Sequence, residues 1–133
     1  MARYIRWFEE LSIDDVPLVG GKNASLGEMY RELTAQGVRV PNGFAITAEA
    51  FREALTAAGV WDELHDLLDP LDKRDVKRLG EVAARCRELV YAAGLPQQVE
   101  QETRAALRRL GEQYGPDLSL AVRSSATAED LPT

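Results

Sequence analysis

Apolar residues along the chain recur at two periods, and the switches between them mark the elements. Tyr4 to Phe8 is a short aromatic and β-branched run, which predicts a strand. Asp14-Asp15-Val16-Pro17 breaks it, and Gly20-Gly21 leads into a helical pattern carried by Leu26, Met29, Tyr30 and Leu33. Ser25 and Glu28 have capping-box spacing, so the first turn falls between Gly21 and Ser25, and Gly37 ends the helix. Val38 to Val40 and Gly43 to Ile46 read as extended segments around the turn Pro41-Asn42-Gly43.

Thr47 is a good N-cap for a helix through Ala58, with Phe51, Ala54, Leu55 and Ala58 as its apolar stripe and Gly59 as its stop. Trp61, Leu64, Leu67 and Leu68 mark a short helix before Pro70. A longer one runs from Asp72 to Ala93, with Val76, Leu79, Ala83, Cys86 and Val90 on one face and Gly94 as C-cap. Pro96 suits the first turn of the next helix, whose stripe is Val99, Ala106, Leu107, Leu110 and Tyr114. Gly115-Pro116 terminates it. Leu118, Leu120 and Val122 then alternate with Ser119, Ala121 and Arg123, the pattern of a half-buried strand. The sum is an α+β chain, mainly helical, with a few short strands whose sheet partners can lie elsewhere.

Composition narrows the function classes. Hydrophobic residues make up 45% of 133 and charged residues 29%, enough for a packed core. The net charge of -6 argues against a nucleic-acid backbone as main partner, since neutralising phosphates needs a basic surface. A small phosphorylated ligand needs only two or three well-placed cations. The lone Cys86 reads as a buried small hydrophobe in a reduced compartment. No run has the length of a membrane span, and the N-terminus lacks a signal-peptide pattern, so the expected location is cytoplasmic. His65 sits between Leu64 and Asp66 with no glycine-rich or hydroxyl-rich setting, and reads as a surface or packing residue. Trp7 and Trp61 read as packing residues, and no Cys/His cluster suggests zinc.

Two segments carry candidate chemistry. In Val19-Gly20-Gly21-Lys22-Asn23-Ala24-Ser25-Leu26-Gly27-Glu28-Met29, glycines allow close backbone approach to an anion, a helix N-terminus offers N–H groups, and Lys22 adds a full charge. The segment suits a nucleotide phosphate, and equally a plain turn into a surface helix with a solvated lysine. It is not a Walker A loop, because Val16 and Asn23 stand where that motif needs Gly and Ser/Thr. In Ala121-Val122-Arg123-Ser124-Ser125-Ala126-Thr127-Ala128-Glu129-Asp130-Leu131-Pro132, Arg123 at a strand end presents a fork matched to phosphate oxygens. Ser124, Ser125 and Thr127 add hydroxyls. The other reading is Arg123 paired with Glu129 or Asp130 in an ordinary surface turn.

These two segments in this order, with Val40-Pro41-Asn42-Gly43-Phe44-Ala45-Ile46-Thr47 between them, resemble the phosphoenolpyruvate synthase family. Its relatives are pyruvate phosphate dikinase and rifampin phosphotransferase. The likeness runs from about Trp7 to Thr133 and is weakest from Trp61 to Gly115. It implies an ATP-grasp-type nucleotide domain, of which residues 1–133 are the N-terminal portion, ending within the loop after the last expected strand. It also implies formation of phosphoenolpyruvate, AMP and phosphate from ATP, pyruvate and water, with magnesium. By the same resemblance, Lys22 and Arg123 contact ATP phosphates, and Ser124, Ser125 and Thr127 line that site. The magnesium ligands, the carrier histidine and the pyruvate site are expected outside this stretch, which alone is expected to be inactive. A rifampin phosphotransferase-like acceptor and a non-catalytic helical binding module are the alternatives.

Overall fold

Ile5–Trp7 forms β1 because its alternate residues Ile5 and Trp7 can be buried together on one face. Its partner is β2, Phe44–Ile46, paired antiparallel with Ile5 opposite Ile46, Arg6 opposite Ala45 and Trp7 opposite Phe44. This computed structural model describes residues 2–128. Among them the two strands make the only sheet, and the rest of the regular structure is helical. The α+β reading holds at that level.

Between the strands the chain makes two short 3₁₀ turns, Phe8–Glu10 and Ile13–Asp15. Each is closed by a carboxylate three residues on. Glu10 accepts the Trp7 N–H at 2.7 Å, and Asp15 accepts the Ser12 N–H at 2.8 Å. One helical turn, α1 (Val16–Val19), follows with Pro17 near its start, where a missing N–H costs nothing. α2 is Gly21–Ala35, α3 Ala48–Ala57, α4 Trp61–Leu68, α5 Val76–Ala93 and α6 Gln97–Tyr114. Thr47 Oγ1 accepts the Ala50 N–H at 3.3 Å as expected of the N-cap of α3.

The chain divides into two compact units. The first runs up to Ala50 and resumes at Gln98. Its sheet separates two apolar clusters. Ile5, Trp7, Phe44 and Leu118 pack with Ala106 and Leu110 of α6. Ala45 packs with Leu11, Val19 and Ala24, against α1 and α2. The second unit, Phe51–Gln97, has its own core of Leu55, Leu64 and Leu89, lined by Val60, Trp61, Leu67, Cys86 and Ala93. Cys86 is half-buried there.

Several helical faces differ from the apolar stripes read along the chain. In α2 the buried residues are Gly21, Ala24 and Gly27, while Met29 is 44% exposed. In α5 they are Val82 and Leu89, one position away from Ala83 and Val90, which rotates the buried seam by a quarter turn or so. Val76 is exposed, and α5 begins there, with Asp75 as N-cap accepting the Arg78 N–H, not at Asp72. Phe51, Ala58, Leu107 and Tyr114 are exposed as well, although Ala54, Leu55, Val99, Ala106 and Leu110 are buried as expected. The strand expected over Leu118 to Val122 is not formed. That stretch is irregular, Leu120 and Val122 are exposed, and no described strand lies beside it to complete a ladder. Alternation alone does not make a strand without a partner for its N–H and C=O groups. Val38 to Val40 is irregular too.

Candidate functional site

Gly20 separates α1 from α2. Its φ of 85° and ψ of 164° turn the chain sharply, a conformation that glycine adopts without the Cβ penalty of other residues. α2 then starts at Gly21, and its first-turn N–H groups point out of the helix end. Two of these groups find acceptors in a distant segment. The Gly21 N–H donates to Ala126 O at 3.1 Å, and the Asn23 N–H donates to Ser125 Oγ at 3.3 Å. Lys22 Nζ donates to Ser124 O at 2.9 Å, across 102 positions of sequence. Asn23 Nδ2 also donates to Val19 O at 3.0 Å, tying α2 back to α1.

The two chemistry-bearing segments therefore meet. Three consecutive residues, Ser124, Ser125 and Ala126, lie on the first turn of α2. The approach is close enough that a Cβ built on Gly20 would stand 2.3 Å from Ser125 Oγ and 2.9 Å from Ala126 N and O. Arg123 is exposed and adjoins the carbonyl that Lys22 holds. Ser124 and Thr127 are exposed and Ser125 is half-buried. Thr127 sits in the turn that follows. Glu129 and Asp130, the alternative partners considered for Arg123, lie outside the described residues.

The rest of the glycine-rich segment serves packing. Gly27 faces Leu11, and a Cβ there would come 2.4 Å from the Leu11 Cβ. Glu28 accepts the Ile13 N–H at 3.1 Å, and Arg31 donates to Leu11 O at 3.2 Å. Glu28 thus caps the second 3₁₀ turn and does not form a capping box with Ser25, which lies exposed inside α2. The sequence reading missed Asn23, whose amide and backbone both serve the site. Its signal was its place one residue after Lys22, at the third position of the helix, where an N–H needs an outside acceptor.

His65 lies in the second unit. Its Nδ1 is 3.2 Å from Asp69 Oδ2 one turn along α4, and its ring packs edge-on against Trp61. It is part of an exposed helix face. Among the described residues no group of three or more His, Cys, Asp or Glu side chains is arranged to hold a metal ion. No described helix is long and apolar enough to cross a membrane.

Comparison with known proteins gives the chain a family. The chain is 48% identical over 130 residues to the phosphoenolpyruvate synthase of Neisseria meningitidis serogroup B, covering 97% of this chain and 16% of that protein. It is 46% identical over 132 residues to the Pseudomonas aeruginosa phosphoenolpyruvate synthase, covering 99% of this chain and 17% of that protein. The Escherichia coli phosphoenolpyruvate synthase is 44% identical over 128 residues, 96% of this chain and 16% of that protein. The chain thus spans about one sixth of these relatives' length, in their N-terminal part. Residues 16–133 match the family described as the pyruvate phosphate dikinase, AMP/ATP-binding domain. That span begins at α1 and takes in both the glycine turn and the serine segment docked on it, and the chain belongs to this AMP/ATP-binding domain family.

Proposed function

We propose that this chain is the N-terminal ATP-binding part of a phosphoenolpyruvate synthase, which converts ATP, pyruvate and water to phosphoenolpyruvate, AMP and phosphate. The observation that carries the reading is the junction of Lys22 with Ser124, which puts two cationic segments far apart in sequence at one helix end. Similarity to proteins named phosphoenolpyruvate synthase over nearly the whole chain supplies the reaction. In this reading Lys22 and Arg123 bind ATP phosphates. Phosphoryl transfer asks a protein chiefly for positioning and charge stabilisation, and two fixed cations supply both. The Arg123 guanidinium can hold two phosphate oxygens at once, while Lys22 acts as a point charge. The hydroxyls of Ser124, Ser125 and Thr127 add donors. Ser125 Oγ accepts the Asn23 N–H, which leaves the direction of its own O–H to be set by a ligand oxygen.

The surrounding architecture is proposed to be of ATP-grasp type and the enzyme cytoplasmic. Pyruvate is proposed to bind residues beyond this stretch. The described residues do not form a magnesium site, and the ion is proposed to come with the polyphosphate and to find its protein ligands elsewhere.

A chimaera tests the reading. The matching N-terminal stretch of the Escherichia coli synthase is replaced by this chain, and pyruvate-dependent AMP formation is followed. The expected outcome is an active enzyme in which Lys22→Ala lowers kcat/KM by on the order of 100-fold, the usual cost of losing one preorganised charge-stabilising group. A folded chimaera without pyruvate-dependent AMP formation would overturn the assignment. So would one indifferent to Lys22→Ala.

A further inference from the structure

The junction at α2 contains more than the Lys22 contact. Its hydrogen bonds come from backbone and side-chain groups of three consecutive residues at one end, and they are received by three consecutive residues at the other. Gly21 N–H meets Ala126 O, Lys22 Nζ meets Ser124 O, and Asn23 N–H meets Ser125 Oγ. Gly20 lies beneath, with no space for a Cβ between its backbone and Ser125 Oγ. The stretch before this junction, from Ser119 to Arg123, is irregular and exposed, so its nearest anchors are Leu118 in the α6 cluster and the α2 turn. Whatever fixes residues 124–126 on α2 also fixes where Arg123 begins.

We propose that Gly20 and Ser125 are positioning residues: together they form a seat that locks residues 124–126 on the first turn of α2 and thereby delivers Arg123 to the nucleotide phosphates. The assignment rests on the proposed ATP-binding role of Lys22 and Arg123. Ser125 acts as an N-cap supplied by a distant segment, its oxygen accepting an N–H that a local Ser, Thr, Asp or Asn would ordinarily take. Gly20 acts by absence. Its positive φ points the α2 turn at the loop, and its missing side chain lets the loop backbone come down. Neither residue needs to touch ATP for this.

Hydrogen exchange in the chimaeric synthase, resolved to single amides and measured without nucleotide, reads the seat directly. The informative amide is Gly21, because its acceptor is Ala126 O, an atom that neither substitution removes. Ser125→Ala deletes one oxygen and Gly20→Ala places a methyl group in the seat. Each is expected to speed exchange at Gly21 by about five-fold or more, the scale of a lost N-cap bond, and the double variant is expected to add little, since both release the same loop. ATP titration of the same proteins is expected to show affinity weakened several-fold in each, while Thr127→Ala leaves Gly21 exchange unchanged. Unchanged exchange at Gly21 in Ser125→Ala would overturn the seat, and that single-atom variant suffices if Gly20→Ala does not fold. Faster exchange with wild-type ATP affinity would overturn the link from the seat to Arg123 and the phosphates. Either result leaves the proposed ATP site standing, because that site stands or falls with Lys22→Ala in the chimaera.

Discussion

Gly20 and Gly27 both stand where a side chain would collide, yet with different partners. At Gly20 the obstruction is the serine loop, and at Gly27 it is Leu11 in the turn before the second 3₁₀ segment. In Gly27→Ala the better helix propensity of alanine, worth about 1 kcal/mol, opposes an overpacking cost of about 1–3 kcal/mol. The Leu11 contact is between two Cβ atoms, with no flexible end to move aside, so the clash wins. Urea unfolding should show a net loss of up to about 2 kcal/mol; a stabilised variant would refute the packing role. Arg123→Lys belongs to the same scale. It keeps the charge and loses the planar fork, so kcat should fall more than ATP affinity. A rise in the KM for ATP at constant kcat would show uniform binding instead. Of these residues, Lys22 and Arg123 stand out in the sequence because their types and flanking motifs suit phosphate chemistry, and their role there is the proposal. Asn23 was not, because an asparagine announces neither its backbone donor nor the residue that will accept from it.

Among the helices α2 to α6, existence was legible and the facing side was less so. Glycines at 37, 59, 94 and 115 all have positive φ at helix ends, where the sequence placed stops. Stripe readings followed the largest apolar residues, which works where large residues fill the seam, as Val99, Ala106 and Leu110 do in α6. It fails in α2, where the buried residues are Gly21, Ala24 and Gly27 and Leu11 leaves no space for a Cβ at Gly27. Size then counts against burial. A glycine in a helix without such a neighbour should behave in the opposite way. Gly80 in α5 has nothing within 4 Å of a built Cβ. Gly80→Ala should therefore stabilise the second unit by about 0.5–1 kcal/mol, through helix propensity alone. Thermal unfolding would check it, and a lowered midpoint would mean that α5 has a packing neighbour at this position.

On the scale of the whole molecule, the chain corresponds to about one sixth of each relative. The proposed phosphate contacts of Lys22 and Arg123 would hold a polyphosphate, but the proposed reaction also needs a phosphoryl carrier and a pyruvate site. His65, exposed beside Asp69 and Trp61, has the surroundings of a surface residue. Purified residues 1–133 should accordingly form no AMP from ATP and pyruvate, while the chimaera does. Pyruvate-dependent turnover by the isolated chain, abolished by Lys22→Ala, would contradict this. The sequence by itself determined the helical character, the positions of the helix stops and the two segments that stand out as candidates. These are local properties, set by residue type and spacing within a few turns. Tertiary structure alone decided that Ser124 reaches Lys22, that Ser125 caps a helix about a hundred residues earlier, and that Leu118 to Val122 forms no strand. Each depends on which distant group arrives to accept or donate. A hydrogen-bond partner, unlike a propensity, is not written in the residue that needs it.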